Sequence, residues 1–280
     1  MKHKLMNLFN QPFDINCLDS KKETYNFNKQ LFSPLNRPDT LFTLYGRNAL
    51  YLGLMGISKM SSKREVLVPS YSCGDELQTI INAGFSIKPY TIDCELNSKI
   101  DEIINLISDK TVAILVAHFF GLPHKNIDAI LKTCRSNNIY LIEDCAHCCG
   151  GSFKGKPLGL LGDISVFSLR KTQNIPHGGA LVVNNKNIVQ IPKMIPPGND
   201  VVSMDLFLFM GYRNGLILPG SPLNNILKKT TNLENREGAR HDKGGAYFLE
   251  ISNLAKIIIK NSAETNQHNQ HVRSENIRYY

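Results

Sequence analysis

No apolar run in this 280-residue chain approaches the roughly 20 residues that span a bilayer; runs such as 113–117 and 257–259 fall far short. A transmembrane helix is therefore not expected. The first residues, Met1-Lys2-His3-Lys4, are followed at once by Asn7, Asn10 and Gln11, so the apolar core of a secretory signal is missing too, and a cytoplasmic location is expected. The seven cysteines are odd in number and lack the regular spacing of a disulfide framework, which agrees with a reducing compartment. Dense basic blocks are also lacking. The net charge of +8, from 32 Lys and Arg against 24 Asp and Glu, is spread along the chain, which disfavours a nucleic-acid arm and suits a small anionic ligand such as a phosphorylated molecule. Low overall charge (20%) with 42% hydrophobic residues excludes disordered and fibrous classes. No internal repeat is present.

What is there is an alternation of two periods. Short apolar runs predict strands over 65–69 (EVLVP), 87–92 (IKPYTI), 112–117 (VAILVA), 139–142 (IYLI), 164–169 (ISVFSL) and 179–183 (GALVV). Between them, 47–56, 75–83, 100–107 and 126–135 space their apolar residues by threes and fours, as helices resting on a sheet do. The pattern predicts a three-layer α/β/α sandwich around a mainly parallel sheet. Residues 1–45, rich in Asn and carrying Pro12, Pro34 and Pro38, read as an N-terminal arm. After a core over 46–190, the prolines and glycines of 191–247 mark an irregular excursion. Helical periodicity returns near Phe248, and 248–280 reads as the start of a helix leading to a truncated small domain.

In open α/β sheets ligands bind beyond the carboxyl ends of the strands, so those places were searched for chemistry. After the 139–142 strand stands Glu143-Asp144-Cys145-Ala146-His147, a carboxylate and an imidazole three residues apart. After the 164–169 strand stands Arg170-Lys171-Thr172, then Pro176-His177-Gly178-Gly179. Tyr45-Gly46-Arg47-Asn48 opens a helix whose free N–H groups can hold a phosphate. A metal cluster from Cys145, His147, Cys148 and Cys149 is disfavoured, because adjacent cysteines do not readily close one tetrahedron over so short a span.

In this order the pieces GRNAL, EVLVPSYS with AGFSIKPYTID, AILVAHFFGLPHKNIDAI, YLIEDCAHCCGGSFKGKPLGLLGDISVFS, and a Lys followed by Gly-Gly resemble the large domain of the DegT/DnrJ/EryC1/StrS sugar aminotransferases. Those are fold-type-I enzymes dependent on pyridoxal 5′-phosphate (PLP). The resemblance covers 46–183. It implies PLP as cofactor, an amino acid donor (glutamate), a nucleotide-linked keto sugar as acceptor, and a homodimer, with neither nucleic acid nor membrane as partner. It places Asp144 at the pyridine nitrogen, His147 at the phenolic oxygen, and Gly46, Arg47, Asn48 and Ser168 at the phosphate. Lys171 becomes the catalytic amine when counted back from Gly178-Gly179, whereas the family's usual spacing from Ser168 falls on Gln173. At the position of the family's ring-stacking aromatic this chain has Cys73, with Tyr71 two residues before it. Gly211-Tyr212-Arg213-Asn214 faintly matches a loop that reaches the neighbouring subunit's phosphate. Two alternatives stay open: a PLP-binding homologue without turnover, and a nucleotide- or metal-binding α/β module.

Overall fold

The computed structural model describes residues 29, 31–148, 150–173, 175–188, 194–198, 202 and 245–261. Seven strands form one sheet in the order β1-β9-β8-β5-β4-β2-β3. These are β1 (Leu41–Thr43), β2 (Glu65–Pro69), β3 (Ser86–Tyr90), β4 (Thr111–Ala117), β5 (Tyr140–Asp144), β8 (Ile164–Ser168) and β9 (Gly179–Val183). Strand β9 runs antiparallel to β1 and β8, and every other pairing is parallel. A small hairpin, β6 (Ser152–Phe153) with β7 (Lys156–Pro157), stands apart from the sheet.

The sheet is covered on both faces, which is why its central strands are apolar without alternation. All seven residues of β4 are buried. On β2, Val66 and Val68 join one cluster with Leu50, Leu54 and Ile57 of α1 (Gly46–Met60), while Leu67 joins the opposite cluster with Ile127 and Ile130 of α4 (Ile127–Ser136). Helices α2 (Gly74–Asn82) and α3 (Ile100–Leu106) complete the crossovers, each with two acidic residues in its first turn, where they complement the helix dipole. The three-layer sandwich expected from the sequence is the architecture observed, with strand and helix ends displaced by no more than four residues.

The arm differs from its reading at 31–45. Leu31, Phe32 and Leu35 are buried, Phe32 edge-on to Phe167 with ring centroids 6.0 Å apart, and 41–43 forms the edge strand β1. Most of 191–247, including Gly211-Tyr212-Arg213-Asn214, lies outside the described residues. The helix expected near Phe248 begins later: 245–248 forms a 3₁₀ turn and α6 spans Asn253–Asn261. Ser252 caps it, its Oγ accepting the Ala255 N–H at 3.2 Å while meeting the buried His177 Nε2 at 2.6 Å.

Two contacts fix the geometry that matters for the site. At Gly179 an added Cβ would lie 2.3–2.5 Å from the main-chain atoms of Tyr45 and Gly46, so β9 can touch the start of α1 only through a glycine. Below the carboxyl edge, His124 N–H donates to His118 Nδ1 (3.3 Å), which leaves His118 Nε2–H to donate to Glu143 Oε2 (3.0 Å). His124 itself is buried, its Nδ1 accepting the Asn126 N–H at 3.1 Å and its Nε2 facing Ser98.

Two expected outcomes follow from these contacts. Gly179→Ala must displace main chain rather than a side-chain tip, and should lower unfolding free energy by about 2 kcal/mol or more in denaturant titration. Burial, and secondarily His118, depresses the His124 pKa from 6.5 to about 4. An imidazole kept neutral in the fold contributes stability that is complete above its unfolded pKa and is lost as pH falls from 6.5 toward 4. Between neutrality and pH ~5 the loss should be on the order of 2 kcal/mol, and His124→Gln should flatten that slope. An unchanged slope in the variant would remove His124 as its source.

Candidate active site

The chemistry-bearing residues gather at the carboxyl ends of β5 and β8, where parallel strands release their chains on one side of the sheet. Asp144 ends β5; its Oδ1 accepts the Ala146 N–H at 2.8 Å, which turns the chain sharply and presents His147 beside it. Single-turn helix α5 (Leu169–Thr172) leaves β8 and carries Lys171, whose Nζ lies 3.2 Å from His147 Nε2. Asp144, His147 and Lys171 are thus brought together. Partial burial lowers the His147 pKa first and Lys171 lowers it further, with Asp144 opposing them, so the imidazole is held in its neutral form.

The proposed phosphate residues divide. Gly46 and Ser168 meet: a Cβ on Gly46 would stand 3.2 Å from the Phe167 carbonyl oxygen and 3.4 Å from Ser168 Cβ. No side chain caps the N-terminus of α1. The Arg47 side chain turns elsewhere, 3.7 Å from Asp75 and 4.3 Å over the Tyr45 ring. Asn48 is buried, and its N–H donates to the Tyr45 carbonyl at 3.0 Å. Cys73 and Tyr71 are both exposed, Tyr71 leaning on the Phe119 ring at 5.6 Å. Gln173, the other count for the lysine position, is 4% exposed against the exposed Lys171.

Two participants were missed from the sequence. Burial, then the charge of Asp144, holds the carboxyl group of Glu76, in the first turn of α2, well above the usual carboxylate range. In the sequence it reads as an ordinary first-turn acid. Phe120 stacks on His147, centroids 5.7 Å apart and planes 15° apart, and donates its N–H to Nδ1 at 3.4 Å. Its positive φ of 56° has no sequence signal.

His118, Glu143 and Cys145 place three possible ligand atoms within 4.8 Å of one another. The Glu143 oxygens already accept from His118, the N–H groups of Gly159, Leu161 and Gly162, and the Ser165 hydroxyl, which leaves no lone pair aimed at an ion. A depression of about 480 Å³ lined by Arg135, Tyr140, Asp163 and Asn184 lies at the opposite, amino end of β5 and β8. No described helix is long and apolar enough to cross a membrane.

The proton on Glu76 is measurable without any ligand. A carboxylic-acid C=O band should persist in infrared spectra at neutral pH, disappear in Glu76→Gln, and bleach at lower pH in Asp144→Asn, which removes the neighbouring negative charge. Its absence from the parent protein would show Glu76 ionised.

The sheet order, its one antiparallel strand and the residues at its carboxyl edge define a large domain of the PLP-dependent aminotransferase type. Structures agree: PseC of Helicobacter pylori, an aminotransferase involved in pseudoaminic acid biosynthesis, superposes with a TM-score of 0.54 at 22% identity over 62% of this chain and 48% of its own. The sugar aminotransferase CalS13 of Micromonospora echinospora gives 0.53 at 23% identity over 60% and 47%. The sequence profile of the DegT/DnrJ/EryC1/StrS aminotransferase family matches residues 2–197, and the chain belongs to that PLP-dependent family. An uncharacterized protein of Methanocaldococcus jannaschii is 33% identical over 52% of this chain and 38% of its own length. The GDP-perosamine synthase of Vibrio cholerae is 31% identical over 51% and 39%. The chain thus spans about two fifths of the length of these relatives.

Proposed function

We propose that this chain is a PLP-dependent aminotransferase that moves an amino group from an amino acid, glutamate, to a keto sugar carried on a nucleotide, working as a cytoplasmic homodimer with its cofactor site in the 46–190 core. The observation that carries the reading is the convergence of Asp144, His147 and Lys171 at one strand edge, in a chain of this family. The residues present fit the cofactor. Gly46 leaves beside Ser168 a corner that a Cβ would fill, and uncapped first-turn amides of α1 and the Ser168 hydroxyl are donors suited to a phosphate dianion. Bound PLP supplies an electron sink for the charge released when the donor's α-proton leaves.

The protein's own groups divide the remaining work. The Asp144 carboxylate would hold a proton on the ring nitrogen through a charge-assisted hydrogen bond. His147 would orient the phenolic oxygen. The Lys171 amine would hold the cofactor through its aldehyde and, when free, would carry the proton to and from the substrate carbon. The net charge of +8 favours approach of a diphosphate-linked substrate.

Borohydride reduction of the PLP-loaded protein followed by peptide mass analysis should place the pyridoxyl adduct on Lys171; an adduct on Lys154, Lys156 or Lys186 would reject the assignment. Asp144→Asn should bind cofactor yet exchange amine with glutamate several orders of magnitude more slowly. A second reading, binding without turnover, is favoured by the exposed thiol of Cys73 where the family carries a stacking ring. It predicts the Lys171 adduct but no amine exchange.

A further inference from the structure

We infer that Phe120 is a positioning residue whose main-chain N–H selects the tautomer of His147 and thereby directs an imidazole N–H at the Lys171 amine. Three contacts meet on one imidazole. Nδ1 faces the Phe120 N–H at 3.4 Å, Nε2 faces Lys171 Nζ at 3.2 Å, and the Phe120 ring lies over the imidazole at 5.7 Å and 15°. A neutral imidazole has one N–H and one lone pair. A main-chain amide can only donate, so the lone pair belongs on Nδ1 and the proton on Nε2. Lys171 then meets a donor. Its ammonium form, which also only donates, has no hydrogen bond to make there, whereas its amine form accepts one.

The backbone of Phe120 is what aims the amide. It adopts φ 56° and ψ 15°, a left-handed conformation that is rare for a bulky residue. The turn is held from both sides, by Gly121 N–H to the His118 carbonyl at 3.1 Å and by His118 N–H to the Asp144 carbonyl at 3.0 Å, which ties it to the strand end carrying His147. The charged and titratable groups facing His147 are Lys171 from α5 and Asp144 from β5, and Asp144 in turn faces Glu76 from α2. With burial opposing a cation on the ring, the neutral form that this logic needs is the one the surroundings favour.

For catalysis the consequence rests on Lys171 being the reacting amine, as proposed above; the tautomer itself does not. The measurement below therefore uses the whole chain without cofactor. Histidine ¹⁵N labelling should show His147 as the Nε2–H tautomer at neutral pH, its signal assigned by loss in His147→Phe. Phe120→Gly, which keeps the amide and tolerates positive φ but removes the ring, should retain that tautomer. An Nδ1–H tautomer or an imidazolium in the parent would overturn the inference, and so would loss of the tautomer in Phe120→Gly, which would make the ring and not the amide responsible. Failure of the PLP reading would leave this result standing.

Discussion

The buried carboxylate of Glu143 is the constraint on which the rest of the site depends. A charge removed from water costs several kcal/mol unless donors surround it. Here burial pushes the Glu143 pKa upward, but His118 and the amides of Gly159 and Gly162 outweigh it and leave the carboxyl below its usual range. To supply those donors the chain must bring three elements onto β5: the turn after β4, which carries His118; the 159–162 loop; and β8 through Ser165. The register of β8 against β5, Ile142 to Ile164 and Asp144 to Val166, is the geometry that these bonds hold.

Strand alternation then separates two adjacent acids into two functions. Glu143 is fully buried, while Asp144, one residue on, is partly exposed at the strand end. Because β8 is anchored to β5 through the inward acid, Ser168 and Lys171 emerge at a fixed place relative to the outward one. The carboxyl edge therefore inherits its geometry from a residue that takes no part in binding.

Much of the fold is legible in the sequence because both faces of the sheet are covered: β2, β4, β5 and β8 read as continuous apolar runs, and the helices between them keep a period near 3.6. Strand β1 is not legible, since three residues carry no period and its pairing with β9 is long-range. The β6–β7 hairpin has the same difficulty at two residues a strand. Asp144, His147 and Lys171 were found because each follows a strand. Glu143 and Asp144 are indistinguishable as letters, and their division appears only with the distant donors. Glu76 reaches Asp144 across β4 from another helix, and Phe120 owes its part to a backbone angle.

A backbone contact places Lys171 and Gln173 differently. The two stand on either side of Thr172. Leu169 N–H donates to the Gly178 carbonyl at 2.9 Å, and Arg170 N–H reaches the same oxygen at 3.4 Å. The first turn of α5 is therefore gripped from the Gly178 side, whose φ of 151° and lack of a side chain permit the approach: a Cβ there would lie 2.9 Å from Ile175 Cδ1 and 3.1 Å from Leu169 Cβ. The bond makes Gly178-Gly179, rather than Ser168, the reference point for α5. From that reference Lys171 lies on the exposed side beside His147, while Gln173 follows the helix in extended conformation and is buried. The backbone contact that closes the turn therefore sets which side chain stands beside His147.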